Sequence, residues 1–152
     1  MTSITPFLWF DTQAEEAMNF YASVFKNSKV GEISRGADGK AFTVNFQLEG
    51  QDFIALNAGP QFKFNEAVSM FVSCADQNEV DYFWNKLTAD GGEESQCGWL
   101  KDKYGLSWQI VPTALGKFLG DPNPEKAGRA MQAMLKMQKI IVADLQKAHD
   151  GN

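Results

Sequence analysis

Histidine is nearly missing from this chain, with His149 the single one among 152 residues. Chemistry built on paired imidazoles, a proton relay or a histidine-rich metal centre, is therefore out of reach. Cysteine is scarce too: Cys74 and Cys97 show neither a disulfide framework nor a zinc-ligand spacing, and two reduced thiols are expected. Basic excess is absent, since 14 Lys and Arg face 19 Asp and Glu for a net charge of -5, the wrong sign for gripping a phosphate backbone. No run of about 18 apolar residues occurs, and Met1-Thr2-Ser3 lacks the basic stretch and apolar core of an export signal. The expectation is a cytoplasmic protein with no nucleic-acid and no membrane partner. Also lacking is a glycine-rich strand-to-helix turn with an acidic residue some way on, because Gly91-Gly92 end a helical pattern instead.

What the chain does have is a globular composition, 44% hydrophobic and 22% charged, and a length that buries roughly 68–70% of the unfolded surface. It also has an internal repeat. The strand-like run Ile4–Phe10 leads to Glu16 and the aromatic pair Phe20-Tyr21; Ser69–Cys74 leads to Glu79 and Phe83-Trp84, at a period of about 63 residues. Paired halves commonly enclose a site.

The first helix is announced by Asp11 or Thr12 as cap, by Glu15 and Glu16 in its opening turns, and by a stripe of Ala14, Ala17, Met18, Tyr21, Val24 and Phe25. Strands are expected at 29–35, 41–49 and 52–58, with turns at 37–39 and 49–51. The second half repeats this as strand 68–74, helix 77–90, and strands near 94–101 and 106–111, one strand being short. The expected organisation is a single domain 1–152: module one 1–60, module two 66–113 and a C-terminal helix 123–149. In the linking loop, Phe62 and Phe64 either line a pocket rim or plug a sheet edge. Asn123-Pro124 opens the C-terminal helix, whose stripe of Ala127, Met131, Met134, Ile141 and Leu145 requires a partner surface, either the sheet or a second subunit.

Alternation sorts the strands into faces. Apolar sets (Ile54 and Leu56; Met70, Val72 and Cys74; Leu106, Trp108 and Ile110) are expected beneath the helices. Mixed sets (Phe53, Ala55 and Asn57; Ser69, Phe71 and Ser73; Ser107, Gln109 and Val111) combine apolar wall with a few polar groups, as small-molecule cavities do, and are expected to face a hollow. Along 41–49 the set containing Phe46 alternates with Thr43, Asn45 and Gln47, and its direction is left open.

Two strand-helix-three-strand modules, each with an aromatic pair on its helix, and the Asp102 to Gly105 turn running into a strand, resemble the vicinal oxygen chelate superfamily of glyoxalases, extradiol dioxygenases and bleomycin-resistance proteins. The strings WFDTQAEEAMNFY (9–21), GQDFIALNAGPQFKFN (50–65), CGWLKDKYGLSWQIVP (97–112) and MQAMLKMQKI (131–140) are similar to its PhnB-like branch, often labelled 3-demethylubiquinone-9 3-methyltransferase. The resemblance implies an α+β fold: two βαβββ modules forming a curved mixed sheet around a cavity, plus the long C-terminal helix. It also places the superfamily's metal-ligand positions at Pro6, Asn57, Ser69 and Gln109 here.

Proline offers no ligand atom on its side chain, serine is a weak one, and only Gln109 keeps a residue type used for metal in that superfamily. No metal and no cofactor are expected. Cys97 has no histidine to deprotonate it, so it is read as structural, and Asp102 is read as a turn residue. The expectation is a homodimeric, metal-free binder of a small, partly aromatic molecule. Asn57, Ser69 and Gln109 would supply hydrogen bonds, and Phe46, Phe71 and Trp99 apolar or stacking wall. Beside it stand a small-molecule enzyme of the methyltransferase-labelled branch and an antibiotic-sequestering protein like the bleomycin-resistance proteins.

Overall fold

The computed structural model describes residues Met1–Asn152, which fall into two compact units, Met1–Phe64 and Asn65–Asn152. The N-terminal unit runs β1 (Phe7–Phe10), α1 (Ala14–Val24), β2 (Ser28–Arg35), β3 (Ala41–Leu48) and β4 (Gln51–Asn57). The C-terminal unit runs β5 (Ser69–Cys74), α2 (Gln77–Thr88), β6 (Glu93–Glu94), β7 (Trp99–Lys101) and β8 (Ser107–Pro112), then α3 (Thr113–Leu119), α4 (Pro124–Met134) and α5 (Val142–Asp150). Each unit holds a four-stranded mixed sheet, in the orders β1-β4-β3-β2 and β5-β8-β7-β6. The first strand pairs parallel with the last in both, so the repeat read from the sequence is a repeat of topology. The fold is α+β with helical C-terminal residues, and no helix is long and apolar enough to cross a membrane.

The stripe of α1 is buried as expected, but its N-terminus is built differently. Gln13 precedes the helix without a capping side chain, and neither Asp11 nor Thr12 caps it. Instead the Asn57 Oδ1 at the end of β4 accepts from the Ala14 N–H at 2.8 Å, and its Nδ2 donates to the Ala41 carbonyl at 3.1 Å. A tertiary contact thus fills a role usually taken by the residue before the helix. For α2 the local cap holds: Asp76 accepts from the Glu79 N–H, and Glu79 reaches back to the Ala75 N–H.

The strand expected at 94–101 is two strands, β6 and β7, separated by residues 95–98 and paired antiparallel, Glu93 opposite Lys101. The expected helix 123–149 is also two. Asn123 caps α4 through the Glu125 and Lys126 N–H groups, but the chain leaves the helix after Met134. Residues 135–141 serve as tertiary partners instead: the Cys97 and Gly98 N–H groups donate to the Met137 and Gln138 carbonyls, both at 2.8 Å. The Gln77 side chain spans the same segment, donating to the Ile140 carbonyl and accepting from the Val142 N–H. These bonds, with Ile140 fully buried, outweigh helix propensity. Within α4 it is Ala130 that is buried while Met131 stays 39% exposed, and beyond the break Ile140 and Leu145 are buried. Leu115, Ile140 and Leu145 form the core that joins α3, α5 and the intervening segment.

Candidate functional site

In β5 and β8 the faces sort as expected: Cys74, Trp108 and Ile110 are buried, while Phe71, Ser73, Gln109 and Val111 lie on the opposite, accessible face. Register then decides which side chains meet. Gln109 is the Cα partner of Phe71 on one neighbouring strand and of Trp99 on the other, so an amide stands between two aromatics on one rung of the sheet. Its Nε2 donates to the Ser69 hydroxyl at 2.9 Å, which orients the amide. Phe71 is 61% exposed, a large apolar ring turned away from any core. Ser107, expected on the same accessible face, is buried.

Phe71, Trp99 and Gln109 line an open cleft of about 430 Å³, together with Cys97 and with Leu115, Gly116, Leu119 and Met134 of the C-terminal helices. Cys97 is held with φ 59°, and the turn it occupies is fixed by the backbone bonds to residues 137–138. The other cysteine, Cys74, is buried, and desolvation followed by the charge of Glu79 pushes its thiol up to about 11, so it is not a reactive group. Asp102 is 2% exposed and takes three bonds, from the Tyr104 and Leu106 N–H groups and from the Trp108 indole at 2.9 Å. It fixes the turn between β7 and β8, and through it the rung.

In the N-terminal unit the sorting is reversed on β4. Phe53 and Ala55 are buried on the helix face, with Asn57 at the N-terminus of α1, while Ile54 and Leu56 occupy the other face. Phe46 belongs to that core: it is 4% exposed, its ring 5.3 Å from Phe53 and 6.2 Å from Tyr21. Phe46 is therefore a packing residue, and both polar ends of Asn57 are committed to backbone. Asn57 borders a separate cleft of about 820 Å³ beside the Gly36–Lys40 hairpin, where Arg35 pairs with Glu15 at 2.7 Å. Phe62 and Phe64 pack edge-on against Trp9 and Phe10 at 4.9 and 5.2 Å, on the first strand of their own sheet.

The donor set does not suit a metal. The Pro6 carbonyl accepts from Ile54, Asn57 is spent on backbone, and Ser69 and Gln109 bond each other. No three His, Cys, Asp or Glu side chains converge to hold an ion. The residues that sequence reasoning missed are those of α3. Its signal was present, since Leu115, Phe118 and Leu119 are spaced as one helical face.

No curated protein matches the chain in sequence. Solved structures do. A Bacillus cereus protein named after 3-demethylubiquinone-9 3-methyltransferase, PhnB, is 35% identical with a TM-score of 0.69, over 74% of this chain and 100% of that one. PA1353 from Pseudomonas aeruginosa (14% identity, TM-score 0.61, 74% of this chain and 98% of that one) shares the fold. So does the fosfomycin resistance protein FosX of Listeria monocytogenes (14%, 0.56, 76% and 94%). The sequence model of the 3-demethylubiquinone-9 3-methyltransferase family matches residues 2–111, and the chain belongs to that PhnB-like family.

Proposed function

We propose that this protein binds a small, flat, partly aromatic molecule in the cleft of its C-terminal unit, without a resident metal. The carrying observation is the rung Phe71–Gln109–Trp99, in which an oriented amide is flanked by two aromatic side chains on an accessible sheet face. Mostly apolar walls with few placed polar groups make a ligand site, and an exposed ring such as Phe71 gains by being covered. Ser69 and Gln109 supply hydrogen bonds; Phe71 and Trp99 supply the stacking surface. Asn57 and Phe46 serve the fold of the other unit.

A thermal-shift screen of aromatic metabolites and antibiotics, run on the wild type and on Gln109→Ala and Trp99→Ala, tests this. Ligands that raise the melting temperature of the wild type should lose that effect in both variants. Shifts unchanged by either substitution would place binding elsewhere. Stoichiometric zinc, iron or manganese held at the cleft would overturn the metal-free part.

Methyl transfer is the second reading, favoured by the name of the 35% identical Bacillus cereus relative. It requires S-adenosylmethionine to bind, and a flat calorimetric titration would remove it. A homodimer is part of the main proposal, supported by Phe7 and Phe42, each more than half exposed. Sedimentation as a monomer at micromolar concentration would refute it. The proposed compartment is the cytoplasm, where two unpaired cysteines stay reduced.

A further inference from the structure

The family match stops at residue 111, and α3 begins two residues later. The C-terminal helices lie beyond the matched residues, and they share the lining of the cleft with the rung. They are locked in place by the Met137 and Gln138 carbonyls on the Cys97 turn, by Gln77, and by Ile140 against Gly98. Within that lining, Leu115 and Met134 belong to the core joining α3 to α5 or pack against it, and their positions are fixed by packing. Gly116 differs. It lies in the middle of α3, lines the cleft, and a Cβ built on it would meet no atom within 4 Å. A glycine inside a helix costs about 0.5–1 kcal/mol relative to alanine, and here neither a positive φ nor a close neighbour requires one.

We propose that Gly116 is the specificity-determining position of the cleft. Its missing side chain leaves open the width between α3 and the Phe71–Gln109–Trp99 rung that admits a planar ring, and α3 thereby selects flat aromatic ligands carrying a hydrogen-bonding group for Gln109. This inference rests on the binding reading above.

The test uses prodan, a neutral naphthalene ketone whose emission shifts to the blue in an apolar site, with the full chain and its Gly116→Ala, Gly116→Leu, Trp99→Ala and Gln109→Ala variants. Prodan should bind the wild type, bind Gly116→Ala somewhat more weakly, and bind Gly116→Leu at least about tenfold more weakly. Unchanged circular dichroism and a melting temperature at or above that of the wild type would show Gly116→Leu to be folded. As a readout without ligand, Cys97 alkylation by the bulky monobromobimane should slow in Gly116→Leu, while alkylation by small iodoacetamide should not. Loss of affinity in Trp99→Ala and Gln109→Ala with none in Gly116→Leu keeps the cleft and overturns the role of Gly116. Binding unaffected by all four variants overturns the cleft reading itself, and a wild type that fails to bind prodan overturns the flat-aromatic class.

Discussion

Replacing Asp102 with alanine should destabilise the protein far more than a turn substitution usually does. The carboxylate is buried and accepts three hydrogen bonds, those from the Leu106 N–H and the Trp108 indole inside the core and that from the Tyr104 N–H at its edge. A net contribution of about 1 kcal/mol for each of these bonds gives a loss of about 3 kcal/mol. With a urea slope of about 2 kcal/mol/M the unfolding midpoint should fall by about 1.5 M. Asp102→Asn keeps an acceptor for the two backbone groups but can turn an amide N–H toward the Trp108 indole, so its midpoint should lie between those of wild type and Asp102→Ala. In a Trp108→Phe background, which lacks the indole donor, the cost of Asp102→Asn should shrink. Urea titrations followed by far-ultraviolet circular dichroism measure all five proteins: wild type, Asp102→Ala, Asp102→Asn, Trp108→Phe and the double variant. An Asp102→Ala midpoint within about 0.5 M of wild type, or Asp102→Asn as damaging as Asp102→Ala, would refute the reasoning.

Asn57→Ala should cost about 1 kcal/mol and raise hydrogen exchange in the first turn of α1, because the Ala14 N–H loses its acceptor; unchanged exchange there would contradict the tertiary cap. Gly98→Ala places a Cβ 3.0 Å from the Ile110 carbonyl and 3.1 Å from Ile140 Cγ1 at φ 85°, so it should cost about 2–3 kcal/mol and free the amide of Cys97 to exchange. For Cys74 the folded thiol is raised above its unfolded value, so its contribution to stability is intact below pH about 9 and is lost as pH rises through about 11, at about 1.4 kcal/mol per unit in between. Urea midpoints for wild type and Cys74→Ala compared across that range should converge with rising pH; parallel profiles would show that the thiol does not titrate differently on unfolding.

Much of this architecture was legible because its signals are local or periodic. The stripe of α1, the repeat of Glu16-Phe20-Tyr21 at Glu79-Phe83-Trp84, and the Asp102 turn all place side chains through short-range geometry. Part of the geometry of the proposed cleft was legible for the same reason: on β5 and β8 alternation put Phe71 and Gln109 on one face, where the Gln109 amide bonds the Ser69 hydroxyl. The failures share a cause, since alternation gives two faces without saying which one a helix covers. Phe46 and Asn57 were assigned to a hollow, whereas α1 takes both, one as an aromatic packing partner and one as a cap. The break in the C-terminal helix was hidden for a related reason. Nothing between Leu135 and Ile141 is a helix breaker, and the acceptors that Cys97 and Gly98 require lie about 40 residues away in sequence.

The parallel closure of each sheet, first strand beside last, has a kinetic side. During synthesis the ladder of β1 cannot form until β4 has left the ribosome, but from that moment the N-terminal sheet has all four of its strands. The later sheet has a different schedule. Its own ladder can complete with β8, while the Cys97 and Gly98 amides cannot find their acceptors until Met137 and Gln138 have been made.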